Sequence, residues 1–575
     1  MTKIKSLYII AFILISLLAF VLRFYALGKV PSGLYQDETA IGYNAYSIIK
    51  TGRDEYGKYL PLYFKSFGDY KLPVYIYSTI PSIFVFGLTP FAVRFPSAFF
   101  GFLTVLFFAL FIYQLTKNKN LAFASMLLLA ITPWHLHYSR TTFEVSLSLF
   151  LLVLGTYLIH KAFFSQKFKG LFFLGTLCFV LDIYTYNLTR LLAPLLFVLI
   201  LIFFRKKIRS VTKPELIFTA IAGTILLIPF LITLSSSGGS SSASGTLIYS
   251  SAAVQAPLLE FRSYLVNSGF FMPGILFNKL FSTTWLYINN LFTYFSVDFF
   301  FISGPTHGNH GIGNVGLFHL FELPFMIWGI VTVIRKKLEW GFFLILWSAA
   351  TIAVAALTRD VPQATRSFFL LVPITAFVAL GTVDFYTWIR KINYLFIKFS
   401  IVVGLLLFVS YSVIFYFASY YFRFPINYAK AWSETDESLV NFINADKKYT
   451  NIIVDKKSGL KYTSILFYTA YPPEEFQKTV VRLPDDSEGF SEVKSFGNYE
   501  FRDIDWDKDY KQPNDLIVTS PDSKPSQISL YKTFYYPTRP VVISSGQNIL
   551  QYPVTDTSYM LVQSKQPTPQ MSNKK

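Results

Sequence analysis

Residues 71–87 read "KLPVYIYSTIPSIFVFG". Whether this stretch crosses a membrane decides which side every later loop faces. It is apolar, but it is 17 residues long and carries Pro73 and Pro81. A spanning helix needs about 20 apolar residues, and an interior proline removes a backbone hydrogen bond. The stretch is therefore expected to be a juxtamembrane helix, and the loops on either side must bear that out.

Apolar runs flank it at 7–27, 92–115, 121–138, 142–160, 170–187, 190–204, 215–234, 314–334, 340–358, 367–389 and 395–421. Of the 575 residues, 53% are hydrophobic and 15% are charged, a combination that excludes an ordinary soluble protein. The first run follows "MTKIK" and reads as a retained span, being long for a signal peptide and lacking a small-residue cleavage site. Cys178, the only cysteine, lies inside an apolar run, so no disulfide can form within the chain.

The basic residues settle the parity. With 71–87 outside the count, Lys117/Lys119, Lys161/Lys167/Lys169, "RKKIRS" at 205–210, "RKK" at 335–337 and Arg390/Lys391 all share the side of the N-terminus. That obeys the positive-inside rule. If 71–87 spanned, "RKKIRS" and "RKK" would face the other way. The expected topology is eleven spans with a cytoplasmic N-terminus and a C-terminus outside the cytoplasmic membrane. The net charge of +18 lies wholly in residues 1–422, in short loops, so it reads as membrane orientation and not as a nucleic-acid surface. The partners expected are membrane lipid and no nucleic acid.

The expected architecture is a polytopic α-helical membrane domain over 1–422, with outer loops 28–91 and 235–313. An extracytoplasmic α/β domain follows over 423–562, then a disordered tail at 563–575. The second loop opens with "SSSGGSSSASG", which reads as mobile. In the last domain "AKAWSETDESLVNFINAD" and "SILFYTAY" read as helices, and "TNIIVD", "DLIVTS" and "PVVISSG" as strands. The domain is expected to dock an acceptor.

Ionisable residues gather toward the outer side: Arg23, Arg94, Arg140, Glu144, Asp182, Arg190, Glu322 and Arg366. Charges in a membrane are costly, and a set of them on one face marks chemistry there. A transporter would place its charges near the midplane. The first outer loop adds "GLYQDETAIGYNAY" at 33–46, with Asp37 beside Glu38. Adjacent side chains diverge, so the pair cannot act as two facing carboxylates. One faces a reaction centre while the other caps a helix or binds metal. Asp37 also stands where an N-cap would, and capping alone is its competing role.

An acidic pair in the first outer loop resembles the GT-C membrane glycosyltransferases. "KLPVYIY" at 71–77, "FAVRFPSAFFGFLTVL" at 91–106, "TPWHLHYSRTTFE" at 132–144 and "YTYNLTRLLAPL" at 184–195 resemble their bacterial branch, relatives of the protein mannosyltransferases and aminoarabinose transferases. So do "GLFHLFELPFMIWGI" at 316–330 and "QATRSFFLLVPITAFVALG" at 363–381. The resemblance covers about the first 420 residues. It implies inverting transfer of a sugar from a polyprenyl-phosphate donor to a protein, lipid or glycan acceptor. Asp37 matches the catalytic acid, Glu38 its partner and Glu144 a second acid, where relatives more often carry Asp. Lys71, Arg190 and Arg366 match positions near the carrier phosphate. Lys71 is followed by Leu72-Pro73 where many relatives have two prolines. His307 and His310 in "GPTHGNHG", with Asp182 and Glu322, are candidates for substrate or metal contact. A divalent metal is the one cofactor these residues suggest. Competing functions are a lipid-linked glycan transporter or flippase, and a surface-polysaccharide polymerase or ligase.

Overall fold

The computed structural model describes residues 2–67, 69–164, 169–234, 247–249, 252–445, 449–486, 490–512, 514–545 and 548–563. The Gly/Ser stretch at 235–245 and the tail from 564 onward lie outside the described residues. By internal packing the chain divides into two units. One comprises Met1–Tyr25, Leu72–Tyr75 and Phe95–Ser419; the other comprises Ala26–Lys71, Ile76–Arg94 and Tyr420–Lys575.

The first unit is helical. Six helices among the described residues are long and apolar enough to cross a membrane: Ser6–Phe24, Pro90–Thr116, Glu144–Phe164, Lys213–Ile232, Phe368–Ile389 and Leu395–Asn427. Every other run expected to span is also helical, but shorter: Lys119–Ile131, Leu171–Ile183, Thr189–Phe203, Glu322–Lys336 and Glu339–Ala355. The run at 121–138 is interrupted because Pro133 cannot continue the helix, and a second short helix, Pro133–Tyr138, starts there. The juxtamembrane stretch forms Pro73–Phe86, which is 14 residues. At about 1.5 Å per residue it falls short of a hydrocarbon core about 30 Å thick.

Helices Glu322–Lys336 and Leu371–Ile389 approach until backbones touch. A Cβ on Gly329 would strike the carbonyl of Phe377, and one on Gly381 the carbonyl of Phe325. Small residues at such crossings are how membrane helices pack closely.

The second unit joins segments far apart in sequence. Helix α1 (Thr2–Phe24) precedes the segment that carries α2 (Gln36–Thr51) and a hairpin of β1 (Phe64–Ser66) and β2 (Asp69–Lys71). The C-terminal region adds a seven-stranded mixed sheet in the order β4-β5-β6-β3-β7-β11-β8. Its strands are β3 (Ile452–Val454), β4 (Val481–Arg482), β5 (Val493–Phe496), β6 (Tyr499–Phe501), β7 (Leu516–Thr519), β8 (Lys532–Tyr535) and β11 (Thr557–Gln563). The central β3 runs parallel to β6 and β7, and the remaining pairings are antiparallel. A separate hairpin pairs β9 (Arg539–Ser545) with β10 (Asn548–Val554). Gln563, expected in the tail, ends β11.

The strands read in "TNIIVD", "DLIVTS" and "PVVISSG" are present as β3, β7 and β9. The helix read over 429–446 is shorter, Asp436–Ala445. Ser433 at φ +50° turns the chain just before it. The main core of this region holds Leu439, Ile465, Phe476, Phe496, Leu516 and Leu561, and it also takes Tyr43 from α2.

Candidate active site

Helix α2 begins at Gln36 with Tyr35 as its cap residue, and Tyr35 makes no side-chain capping bond. Asp37, whose competing role is that of an N-cap, is the second helical residue. The chain is still extended at Tyr35 (φ −74°, ψ 166°), and it is already helical where Asp37 stands. A negative residue in the first turn still faces the positive end of the helix dipole. The helix stops at Gly52, whose left-handed backbone (φ +68°) lets its N–H reach the Ile48 carbonyl at 2.9 Å.

The two acids have different partners. Asp37 Oδ1 lies 2.8 Å from Lys71 Nζ, and the Asp37 side chain keeps 34% of its surface exposed. Lys71 is the last residue of β2, so the hairpin turn sets its reach. Glu38 is fully buried and points to Arg94. Arg94 Nε donates to Glu38 Oε1 at 2.9 Å and Nη2 to Oε2 at 2.8 Å. This is the paired fork geometry that makes arginine–carboxylate contacts strong.

Arg94 spends its remaining donors on the loop. Nη1 reaches the carbonyls of Leu27 at 3.3 Å and Pro31 at 2.8 Å, and Nη2 the carbonyl of Gly33 at 2.5 Å. Gly33 has φ +74°, and a Cβ there would lie 2.4 Å from the Trp432 carbonyl. The guanidinium lies 5.7 Å from the Trp432 ring. The sequence marks Arg94 as a charge near a span, but its pairing with Glu38 bridges 56 positions and leaves no local signal.

The C-terminal sheet region supports α2 from another side. Thr39 Oγ1 donates to Thr463 Oγ1 at 2.9 Å, and the Tyr43 hydroxyl to the Tyr471 carbonyl at 3.0 Å. Gly42 lies where a Cβ would press on the Phe467 ring. Beyond the helix, buried Glu55 accepts from the Tyr462 hydroxyl at 3.2 Å and from Asn44 Nδ2 at 3.5 Å. Burial lifts the Glu55 carboxyl to about 7; the Arg482 charge pulls it down and Asp54 pushes it up. Lys65 of β1 meets Asp485 at 2.8 Å, and the Tyr70 ring lies 5.3 Å from that of Phe490. Sequence reading does not assign this supporting role to the C-terminal region.

In the helical unit, a polar cavity of about 710 Å³ gathers three other expected residues, His307, His310 and Arg366, with Gln363, Asp298 and Asp360. His310 Nδ1 lies 3.2 Å from Thr365 Oγ1 and 3.4 Å from the Tyr138 hydroxyl, and Nε2 lies 3.3 Å from Gln363 Nε2. Arg366 donates to Thr358 Oγ1 at 3.0 Å and to the Arg359 carbonyl. The rings of His307 and His310 are 5.2 Å apart.

The remaining expected residues do not line this cavity. Glu144 opens helix Glu144–Phe164 and is half-buried. Arg190 is the second residue of helix Thr189–Phe203, with its guanidinium 5.4 Å from the Phe230 ring. Asp182 is buried in helix Leu171–Ile183, and Glu322 is buried at the start of Glu322–Lys336. Among the described residues no three His, Cys, Asp or Glu side chains converge as ion ligands. The His310 nitrogens already face Thr365, Tyr138 and Gln363. This set does not fit a metal, and no chemical step below uses one.

Residues 13–237, less than half of the chain, match the family model of dolichyl-phosphate-mannose-protein mannosyltransferase. Two crystal structures of ArnT from Cupriavidus metallidurans are similar in fold. The apo form has a TM-score of 0.50 at 13% identity, and the form bound to undecaprenyl phosphate 0.52 at 12%. Each comparison covers 96% of this chain and 97% of the other. The archaeal oligosaccharyltransferase AglB from Archaeoglobus fulgidus, in complex with an inhibitory peptide and a dolichol-phosphate, aligns at a TM-score of 0.47 and 13% identity, over 81% of this chain and 64% of its own. No curated protein sequence matches the chain.

Proposed function

We propose that this multi-pass chain, a GT-C-fold relative of the protein mannosyltransferases, transfers a sugar from a polyprenyl-phosphate donor to an acceptor hydroxyl at the outer face of the cytoplasmic membrane. The observation that carries the reading is the division between its two acids. Glu38 is committed to Arg94 in the interior, whereas Asp37 stays partly exposed beside a lysine. A general base must reach the proton it takes, and of the two acids only Asp37 keeps its carboxylate open to an acceptor.

The acceptor oxygen attacks the anomeric carbon, and Asp37 takes its proton. The bond from that carbon to the phosphate oxygen breaks, and its electron pair leaves with the carrier phosphate. A single displacement inverts the anomeric centre. Lys71 offsets charge on the departing phosphate, the role the resemblance also gives Arg190 and Arg366. Glu38 is a positioning residue. Should Asp37 not be the base, Glu38 and then Glu144 are next in line. The topology that serves this reaction is the one the basic loops predict, with the N-terminus cytoplasmic and the C-terminal region outside.

The test is purified protein in lipid, supplied with radiolabelled polyprenyl-phosphate monosaccharides and native membranes as acceptor. Transfer of label to a membrane protein, lipid or glycan is the expected result. Movement of intact donor across the bilayer without cleavage of its phosphate bond would establish the flippase reading instead.

A further inference from the structure

The second outer loop is an unusual loop. Residues 252–297 contain three charged side chains in 46 positions: Glu260, Arg262 and Lys279. A water-exposed segment of that length carries roughly a quarter charged residues. The structure folds it into helices Ala252–Asn267, Pro273–Leu276 and Lys279–Thr293. Its large apolar side chains stay outside. Tyr264, Phe271, Ile275, Leu280, Trp285 and Phe292 are each at least 60% exposed.

Two observations identify what covers them. On Ala252–Asn267 the exposed Leu259, Phe261, Tyr264 and Val266 turn to several sides, whereas on Lys279–Thr293 the exposed Leu280, Phe281, Trp285, Ile288 and Phe292 share one face. A fluid apolar medium covers the first helix all round, and a helix lying in the interface buries one apolar face, as the second presents. In the same unit, comparable exposure is found along the candidate spans, for example at Ile232 (63%) in Lys213–Ile232 and Leu407 (67%) in Leu395–Asn427. The segment thus has the surface of a lipid-facing helix without the length of a span.

We infer that residues 252–297 form an interfacial flap whose helices lie in the lipid bilayer. The aromatic residues suit the boundary between hydrocarbon and headgroups. Arg262 and Lys279 suit anionic headgroups, with Lys279 Nζ 4.1 Å from the Tyr249 ring. Beneath the flap a groove of about 900 Å³, lined by Leu258, Phe261, Phe277, Phe281 and Trp285, opens for a lipid hydrocarbon chain. This assignment does not depend on the sugar-transfer reading.

The chain's single cysteine allows a direct test. In a Cys178→Ser background, single cysteines at Tyr264, Phe271 and Trp285 are labelled with an environment-sensitive fluorophore. The full-length protein is placed in vesicles with brominated acyl chains. Leu407→Cys serves as the lipid-facing reference and Lys478→Cys as the water-facing one. The three flap sites are expected to be quenched by brominated lipid roughly twofold or more above the Lys478 site, and shielded from aqueous iodide. Quenching by iodide equal to that at Lys478 would overturn the inference. Shielding from both quenchers, with energy transfer between labelled copies, would overturn it in favour of a second copy.

Discussion

Two ion pairs share the first turn of α2, and they sit in different surroundings. Arg94–Glu38 has both side chains fully buried and ties down three loop carbonyls. Lys71–Asp37 holds a similar 2.8 Å contact but leaves Asp37 one-third exposed. Breaking a buried pair leaves a charge without solvent, so Glu38 is bound to the fold. In the other pair Lys71 is buried but Asp37 keeps about a third of its surface open, so Asp37 is accessible for chemistry. The difference teaches that adjacency in sequence is no guide to shared function here.

The sharpest way to break this comparison is Asp37→Asn. It keeps the shape of the side chain, so the protein is expected to fold normally and to lose transfer by about 10²–10⁴. Initial rates with a polyprenyl-phosphate sugar measure this. Near-parental rates would move the base to Glu38 and then to Glu144.

Glu38→Gln is the reciprocal change. It leaves the Arg94 charge buried without its counter-charge and is expected to cost about 3–5 kcal/mol of stability. Thermal unfolding and yield of the purified protein report it. Should Glu38→Gln melt like the parent and still lose transfer, both acids are catalytic and the division fails.

Glu55 tests the support behind α2. Its carboxyl is raised from 4.5 to about 7 in the fold, and Asp436 is raised from 3.8 to about 6, both chiefly by burial. The folded state therefore holds protons that the unfolded chain has released. Stability from each neutral carboxyl is full below its ordinary value and is lost as pH rises through the folded value. Melting temperature is expected to fall between about pH 4 and 7, and Glu55→Gln to flatten much of that slope. A parental slope in Glu55→Gln would show that this carboxyl does not carry the effect.

The smallest effect is expected from Thr463→Val, which removes the acceptor for the Thr39 hydroxyl. One neutral hydrogen bond is worth about 1 kcal/mol. A fall in transfer rate larger than that loss of stability predicts would show that the C-terminal region also tunes the position of Asp37.

Much of this protein was legible from composition alone. The apolar runs, the basic loops and the short, proline-bearing 71–87 follow from local rules, because a membrane segment must satisfy its backbone within itself. The same locality marked β3, β7 and β9, where β-branched residues cluster. It also singled out Asp37 and Glu38, since acids are rare in so apolar a chain.

Only the tertiary structure decided what each acid does. Neighbouring residues on a helix point roughly 100° apart, so one turn sends Asp37 and Glu38 to different partners. Those partners lie 34 and 56 positions away, at Lys71 and Arg94. The competing N-cap reading of Asp37 fails for a related reason: the exact first residue of a helix depends on the entering loop, here held by Arg94 and Gly33. The joining of α2 to the C-terminal sheet region spans more than 400 positions, as in Thr39–Thr463. The gathering of His307, His310 and Arg366 at one cavity spans nearly 60. Periodicity and composition act within one or two helical turns. Pairings across such separations are selected by burial and charge balance in the packed chain.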